Sequence, residues 1–211
     1  MRKREEHFVP IPSEDAERTL EGVFIAGTDD DVIGVVVAAP HPAYGGSMDS
    51  PVVNELAYAA RGAGMASLRF NWRGVGGSTG AVSSDFDDAV SDYRAALQQM
   101  LETVPGAVIA AGYSFGAGAA QHAAVGEQRV RRLVLVAPPP AMLDLARLGE
   151  FSGKTLLLAA AEDAWAPADE LQSIAADHPR VTFACIPCAD HFFGNGLADI
   201  RRLTAAWLTA R

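Results

Sequence analysis

A serine between two glycines is the first feature of this chain that could do chemistry. Residues 112–116 read Gly-Tyr-Ser-Phe-Gly, and they follow an apolar run and open a segment rich in Ala and Gly. A sharp turn from a strand into a helix leaves no room for side chains beside such a serine. The pattern therefore predicts that the turn presents the hydroxyl of Ser114 at the carboxyl edge of a sheet. The alternative is a glycine-flanked turn with an incidental serine.

A serine hydroxyl needs a base, and the base needs an acid to orient it. His191 and Asp163 each follow a later apolar run, which gives the chain order Ser, Asp, His. Glu162 is the rival acid, and Asp190 is interpreted as a solvated neighbour of His191. The other histidines stand at less suitable places, in the N-terminal arm, too early in the order, or on helices: His7, His41, His122 and His178.

Acyl transfer also needs two N–H donors for the oxyanion. The backbone N–H of Phe115, directly after the serine, is the first candidate. The second should come from the loop 41–49, whose two glycines let backbone approach a ligand. Tyr44 is the favoured donor there, with Ala43 close behind, and a mere turn before the next helix is the alternative.

The elements that position these residues alternate between apolar strands and amphipathic helices. Proline-rich residues 8–12 can form only an edge strand, and a polar turn at 28–31 predicts a hairpin between strands 18–27 and 31–39. Further strands are predicted at 65–70, 107–113, 130–137, 155–161 and 181–186, and helices at 51–63, 84–103, 115–125, 167–177 and 197–210. This alternation predicts one three-layer α/β/α domain over residues 1–211, with a mostly parallel sheet of about eight strands and no cap domain.

Composition narrows the function classes. The chain has 211 residues, 49% of them hydrophobic, and a net charge of −9. An acidic surface argues against nucleic acid and membrane as partners, and two Cys exclude a disulfide scaffold. Residues 1–6 have a basic start with no apolar stretch behind it, so a cytoplasmic protein is expected, as a monomer or homodimer.

Four segments together resemble the α/β-hydrolase superfamily. They read H-P-A-Y-G-G-S-M-D at 41–49, F-N-W-R-G-V-G-G-S at 70–78, G-Y-S-F-G-A at 112–117 and H-F-F at 191–193. Within the superfamily the chain is similar to small lidless bacterial serine hydrolases related to dienelactone hydrolases. The resemblance implies an eight-stranded sheet, the three site residues named above and hydrolysis of esters. Two departures stand out: Ala160 replaces the usual glycine of the acid turn, and the nucleophile is Ser rather than the Cys of dienelactone hydrolases.

Five aromatic residues fall on the loops that follow strands: Tyr44, Trp72, Trp165, Phe192 and Phe193. Some are expected in the core and others in the lining of an apolar acyl pocket, for which the candidates are Tyr44, Trp72, Trp165 and Phe192. Two other signals are interpreted as structural. Arg73, directly before the glycine-rich segment 74–80, is expected to form a structural salt bridge, with contact to substrate as the alternative. The spacing of that segment fits neither a dinucleotide loop nor a P-loop. Cys185 and Cys188 are expected to be a buried small residue and a loop thiol.

The sequence thus predicts a serine hydrolase that cleaves small carboxylic esters through an acyl-enzyme, with a small acyl compound as its partner and no metal or cofactor. The rivals are a thioesterase, lactonase or amidase with the same machinery, and a binding module that keeps the fold without turnover.

Overall fold

Eight strands form one sheet in the computed structural model, which describes residues 5–13, 17–28 and 32–210. The strands are β1 (His7–Pro12), β2 (Thr19–Ile25), β3 (Gly34–Ala38), β4 (Ala66–Phe70), β5 (Val108–Tyr113), β6 (Val130–Val136), β7 (Lys154–Ala160) and β8 (Val181–Ile186). Their order across the sheet is β1-β2-β4-β3-β5-β6-β7-β8. The first two pairings are antiparallel, and every pairing from β4 to β8 is parallel.

Six α-helices accompany the sheet within the described residues. They are α1 (Pro51–Gly62), α2 (Phe86–Thr103), α3 (Phe115–Ala124), α4 (Leu145–Glu150), α5 (Ala168–Asp177) and α6 (Leu197–Thr209). Helices α1 and α6 pack against each other, as do α2 and α3, and the two pairs cover the faces of the sheet. None of the helices in the described part of the chain combines the length and the apolarity needed to cross a bilayer.

Burial explains the strand positions. Every residue of β3, β4 and β5 is buried, as expected for central strands covered on both faces. Tyr93 of α2 ties the layers together, because its buried hydroxyl donates to the carbonyl of Val36 at 3.0 Å and accepts from the N–H of Ala111 at 3.0 Å. The two-proline strand β1 lies at an edge, which confirms the sequence prediction.

The hairpin predicted between strands 18–27 and 31–39 is wrong. Strand β4 lies between β2 and β3, and it is hydrogen-bonded to both. The reason is that β3 is apolar on both faces and needs neighbours within the parallel sheet, whereas the half-buried β2 suits a place nearer the edge. Asp29, Asp30 and Asp31 of the predicted turn lie outside the described residues.

Candidate active site

Ser114 stands in a sharp turn between β5 and α3. Its backbone has φ 55° and ψ −121°, in the left-handed region that residues with side chains seldom occupy. The two flanking glycines are required by space. A Cβ at Gly112 would come within 2.2 Å of the carbonyl oxygen of Gly116, and a Cβ at Gly116 within 2.3 Å of the carbonyl oxygen of Ala39. The glycine pattern is therefore the sequence signature of this close packing.

Ser114, His191 and Asp163 form one chain of hydrogen bonds. The Nε2 atom of His191 lies 2.9 Å from the Oγ atom of Ser114, and its Nδ1 atom lies 2.6 Å from the Oδ2 atom of Asp163. The side chains follow β5, β7 and β8, and the residues are 6–8% exposed. The three residues singled out in the sequence thus meet at the carboxyl edge of the sheet.

The carboxylate of Asp163 is fixed on its other side as well. Its Oδ1 atom accepts the backbone N–H groups of Trp165 at 2.8 Å and Ala166 at 2.9 Å. Neither rival acid takes this place: Glu162 is exposed, and the Oδ1 atom of exposed Asp190 accepts the N–H of Phe192 at 3.1 Å. The replacement of glycine by Ala160 in this turn does not prevent Asp163 from reaching the imidazole.

Tyr113 holds the loop that carries His191, a contact that the sequence analysis missed. Its hydroxyl donates to the backbone carbonyl of His191 at 2.7 Å, and the two ring centroids lie 5.5 Å apart. Burial, together with the charges of Asp163 and Asp190, raises the pKa of Tyr113 above its usual range, so the hydroxyl stays protonated. An aromatic residue next to the nucleophile was the available signal, but only the fold reveals its partner.

Backbone strain concentrates around these side chains. Among the described residues, those other than glycine with φ between 44° and 56° all follow the carboxyl ends of β5, β6 or β8: Ser114, Ala137, Cys188 and Phe193. Such conformations cost roughly 1–3 kcal/mol each and cluster at functional sites. The strain therefore points to the same edge of the sheet as the hydrogen bonds.

The backbone N–H groups of the two expected oxyanion donors differ in whether they already have an acceptor within the protein. Phe115 is the first residue of α3, so its N–H has no acceptor within the helix. The N–H of Tyr44 already donates to the carbonyl of His41 at 3.1 Å, because residues Pro42–Tyr44 form a 3-10 turn. The N–H of Ala43 donates to the Nδ1 atom of the His41 ring at 3.2 Å. The structure thus offers no advantage to Tyr44 over Ala43.

An open cleft of about 1020 Å³ lies above Ser114. Its lining is largely apolar and comes from the loops after β3, β5, β6, β7 and β8: Pro40, His41, Tyr44, Gly45, Gly46, Ser50, Pro51, Tyr113, Ser114, Phe115, Pro139, Met142, Ala164, Trp165, His191 and Phe192. Three of the four aromatic residues expected in the pocket are there. Tyr44 is 86% exposed, Trp165 59% and Phe192 64%.

Trp72 is the exception, and its assignment to the pocket is wrong. Its side chain is only 2% exposed, its ring packs edge-on against Phe70 and Phe115, and its indole N–H donates to the carbonyl of Pro40 at 3.0 Å. A buried indole needs such a partner, and here it supports the loop before His41 from below.

The interpretation of Arg73 as structural is confirmed. Its guanidinium donates to Asp92 at 2.7 and 2.9 Å and pairs with Asp88, with all three residues outside the cleft lining. The expectation that Cys185 is buried is wrong, because it lies exposed on β8, which is an edge strand of the sheet. Cys188 is an exposed loop thiol, and both thiols are free.

Comparisons with known proteins agree with this fold. An uncharacterized protein of Rickettsia prowazekii is 28% identical over 188 residues, which cover 84% of this chain and 79% of that protein. The structure of an alpha-beta serine hydrolase homologue from Coxiella burnetii matches with a TM-score of 0.84 and 28% identity, over 99% of both chains. XC6422 from Xanthomonas campestris, an α/β serine hydrolase without a lid, matches with a TM-score of 0.80 and 26% identity, over 98% of this chain and 97% of that one.

A family model described as serine aminopeptidase, S33, matches residues 34–148, which is more than half of the chain. The match spans β3 to α4 and includes both the loop at His41 and the turn at Ser114. The relation to dienelactone hydrolases stays an expectation from the sequence. By this match and by its similarity to solved serine hydrolases, the chain belongs to the serine aminopeptidase, S33 family, within the α/β-hydrolase superfamily.

Proposed function

We propose that this serine hydrolase cleaves small neutral carboxylic esters through an acyl-enzyme. One observation carries the proposal: Ser114, His191 and Asp163 form a continuous chain of hydrogen bonds at the floor of an apolar cleft. Separations of 2.6–2.9 Å suit proton transfer without rearrangement.

In the proposed mechanism the Oγ atom of Ser114 attacks the ester carbonyl carbon while Nε2 of His191 takes its proton. The oxyanion is stabilised by the N–H of Phe115 and by a second N–H from the loop at His41, either that of Ala43 or that of Tyr44. His191 returns the proton to the leaving alkoxide. A water molecule then attacks the acyl carbon while His191 takes its proton, the bond from that carbon to the Oγ atom of Ser114 breaks, and His191 returns the proton to Oγ as the carboxylic acid leaves. Asp163 stabilises the imidazolium formed in each half of the cycle.

Hydrolysis of p-nitrophenyl acetate tests the proposal most directly. The protein should release p-nitrophenolate, either in an initial burst as the acyl-enzyme forms or at a steady rate. Ser114→Ala should abolish this release. A fluorophosphonate probe should label the wild-type protein at Ser114 and leave the variant unlabelled. If neither turnover nor labelling is seen with the correctly folded protein, the chain is a binding module that retains the fold. Thioester and lactone substrates in the same assay separate the remaining rivals.

Aminopeptidase activity is a second candidate because the matching family model carries that description. Such an enzyme must bind a free α-ammonium group, and buried or partly buried cations are normally paired with a carboxylate. Among the described residues that line the cleft there is no Asp, Glu, Lys or Arg. The carboxylate of Asp163 is engaged with His191 and two backbone N–H groups. These observations favour neutral substrates.

A matched pair of p-nitrophenyl esters separates the two candidates. The 3-phenylpropanoyl and phenylalanyl esters share the same skeleton and leaving group, and they differ by the α-ammonium group. After each rate is divided by the spontaneous hydrolysis rate of that ester, kcat/KM should be at least about tenfold higher for the neutral ester, because an unpaired cation loses hydration on entering the cleft. A preference for the phenylalanyl ester would favour the aminopeptidase.

A further inference from the structure

Two exposed aromatic rings stand directly beside the imidazole of His191. The centroid of the Trp165 ring lies 4.8 Å from that of His191, and the centroid of Phe192 lies 5.9 Å from it. Trp165 and Phe192 are also 5.6 Å from each other, nearly edge to face. Both line the cleft, and both expose more than half of their surface. Exposed apolar side chains grouped in this way mark a surface that contacts a ligand.

The chemistry of ester cleavage says which part of a substrate comes near these rings. The Nε2 atom of His191 must lie within about 3 Å of the leaving oxygen to return the proton to it. The carbon of the alcohol that is bonded to the leaving oxygen is therefore close to the imidazole. It is also close to the Trp165 and Phe192 rings that contact the imidazole. The acyl chain begins on the other side of the carbonyl carbon. Trp165 and Phe192 accordingly border the alcohol part of an ester.

The rings are carried on backbone that is already fixed. The N–H of Trp165 donates to Asp163 at 2.8 Å, and the N–H of Phe192 donates to Asp190 at 3.1 Å. The facing wall of the cleft is also built from rings, because His41 lies 5.0 Å from Tyr44. His41 follows β3 and Trp165 follows β7, three strand positions apart, or about 14 Å at the usual strand spacing. A flat ring fits in that width with contacts to one wall.

We infer that Trp165 and Phe192 form a leaving-group subsite for aromatic alcohols, so that benzyl-type esters are preferred among esters of equal size. The inference rests on the proposed function, and it names the alcohol part of the substrate. Edge-to-face and offset contacts between rings add affinity beyond that of the buried area. A saturated ring of the same size gains the area but not these contacts.

Benzyl acetate and cyclohexylmethyl acetate form the matched pair for the test. Both release a primary alcohol of nearly the same size, and the acyl group is identical. The wild-type protein should show a kcat/KM about three- to tenfold higher for benzyl acetate, which is the range expected of one or two aromatic contacts. A ratio of one or less would overturn the inference. If neither acetate is hydrolysed and the fluorophosphonate probe does not label Ser114, the proposed function itself has failed.

Substitutions then locate the selectivity. Trp165→Leu and Phe192→Leu keep an apolar side chain, and their exposure means that little core packing is lost. Each substitution should lower the ratio of kcat/KM for benzyl acetate to that for cyclohexylmethyl acetate by about two- to fivefold. The double variant should have a ratio near one. Phe8→Leu is the matched control, because Phe8 is an exposed aromatic residue on β1, outside the cleft lining, and it should keep the wild-type ratio. Equal losses on both acetates in Trp165→Leu would overturn the inference and leave Trp165 as a shield over His191.

Discussion

The carboxylate of Asp163 reaches His191 with one oxygen and its own loop with the other. Oδ2 lies 2.6 Å from Nδ1 of the imidazole, and Oδ1 accepts two backbone N–H groups at 2.8 and 2.9 Å. The carboxylate therefore cannot rotate without losing hydrogen bonds. This arrangement keeps the proton of the neutral imidazole on Nδ1 and leaves Nε2 free to accept the proton of Ser114.

Replacement of Ser114 by alanine should abolish ester hydrolysis and leave the melting temperature within a few degrees of wild type. The hydroxyl contributes no core volume, and the strained backbone is the same for alanine as for serine. Initial rates with p-nitrophenyl acetate and a thermal unfolding curve give both values. Retention of more than about a hundredth of the activity would contradict the role of Ser114, since loss of the nucleophile normally costs orders of magnitude.

Asp163→Asn should lower kcat by about 10³–10⁴, by analogy with the same change in serine proteases. The amide oxygen can still accept the two backbone N–H groups, so its NH₂ group would face Nδ1 of His191. The imidazole would then carry its proton on Nε2 and could not act as the base. Steady-state hydrolysis of p-nitrophenyl acetate by the variant and the wild-type protein measures the loss in kcat.

Two matched variants accompany Asp163→Asn. Glu162→Gln and Asp190→Asn each remove one carboxylate charge near His191, but neither residue contacts the imidazole nitrogens in the structure. Both should retain most of the wild-type kcat. If Glu162→Gln lowers kcat the most of the three variants, the assignment of Asp163 as the acid is wrong.

Local rules predicted the strands and helices well, because each buried strand is a short apolar run between polar turns. Strand 181–186 was predicted with the bounds that the structure has, and the other elements differ by a few residues at their ends. Glycine spacing predicted the turn at Ser114 because the contacts that exclude a Cβ are made within residues 112–116 and with the strand alongside. Strand pairing was harder to predict, because the neighbour of β2 is not the next strand in sequence but β4, with Phe70 paired to Gly22.

Burial of single side chains depends on contacts that no local pattern reports. Trp72 follows a strand just as Trp165 does, yet its ring turns into the core and finds the carbonyl of Pro40. Cys185 has apolar neighbours in sequence, and only the edge position of β8 explains its exposure. The bond from Tyr113 to the carbonyl of His191 joins residues 78 positions apart and is equally invisible in the sequence.

The protein should become less stable as the pH falls below neutral, and protonation of His41 should account for part of this loss. Partial burial lowers the pKa of His41 from its ordinary value of 6.5, so the unfolded chain binds a proton more readily than the folded one. Its contribution to stability is therefore complete above about pH 6.5 and is lost as the pH falls through the lower pKa of the folded state. Protonation of Nδ1 would also remove the acceptor for the N–H of Ala43.

His41→Asn isolates this effect, because asparagine can accept the N–H at the start of the 3-10 turn and does not titrate. Free energies of unfolding in urea at pH 7.5 and pH 5.0 should show a smaller loss for the variant than for the wild-type protein. His122, whose pKa is also lowered by burial, is present in both proteins, so its share cancels in the difference. Identical pH dependence in the two proteins would contradict the prediction.

The length of acyl chain that the protein accepts should depend on the connection between β6 and β7. Residues 138–153 hold only the 3-10 turn Pro140–Met142 and the six-residue helix α4. The side chain of Gln121 on α3 binds both the N–H and the carbonyl of Asp144, each at 3.0 Å, so this segment is fastened to the body of the protein. Pro139 and Met142 from it form part of the wall of the open cleft.

Such a segment has neither the length nor the freedom to cover a long acyl chain. Each buried methylene contributes about 0.8 kcal/mol, but only while there is wall for it to contact. For p-nitrophenyl esters from acetyl to palmitoyl, kcat/KM should therefore rise little beyond a short acyl chain and then fall. Activity should also show no jump when the substrate passes its solubility limit, because no lid has to open. A maximum at about ten carbons or more, or a sharp rise at the emulsion point, would contradict the prediction, since either requires a cover over the bound chain.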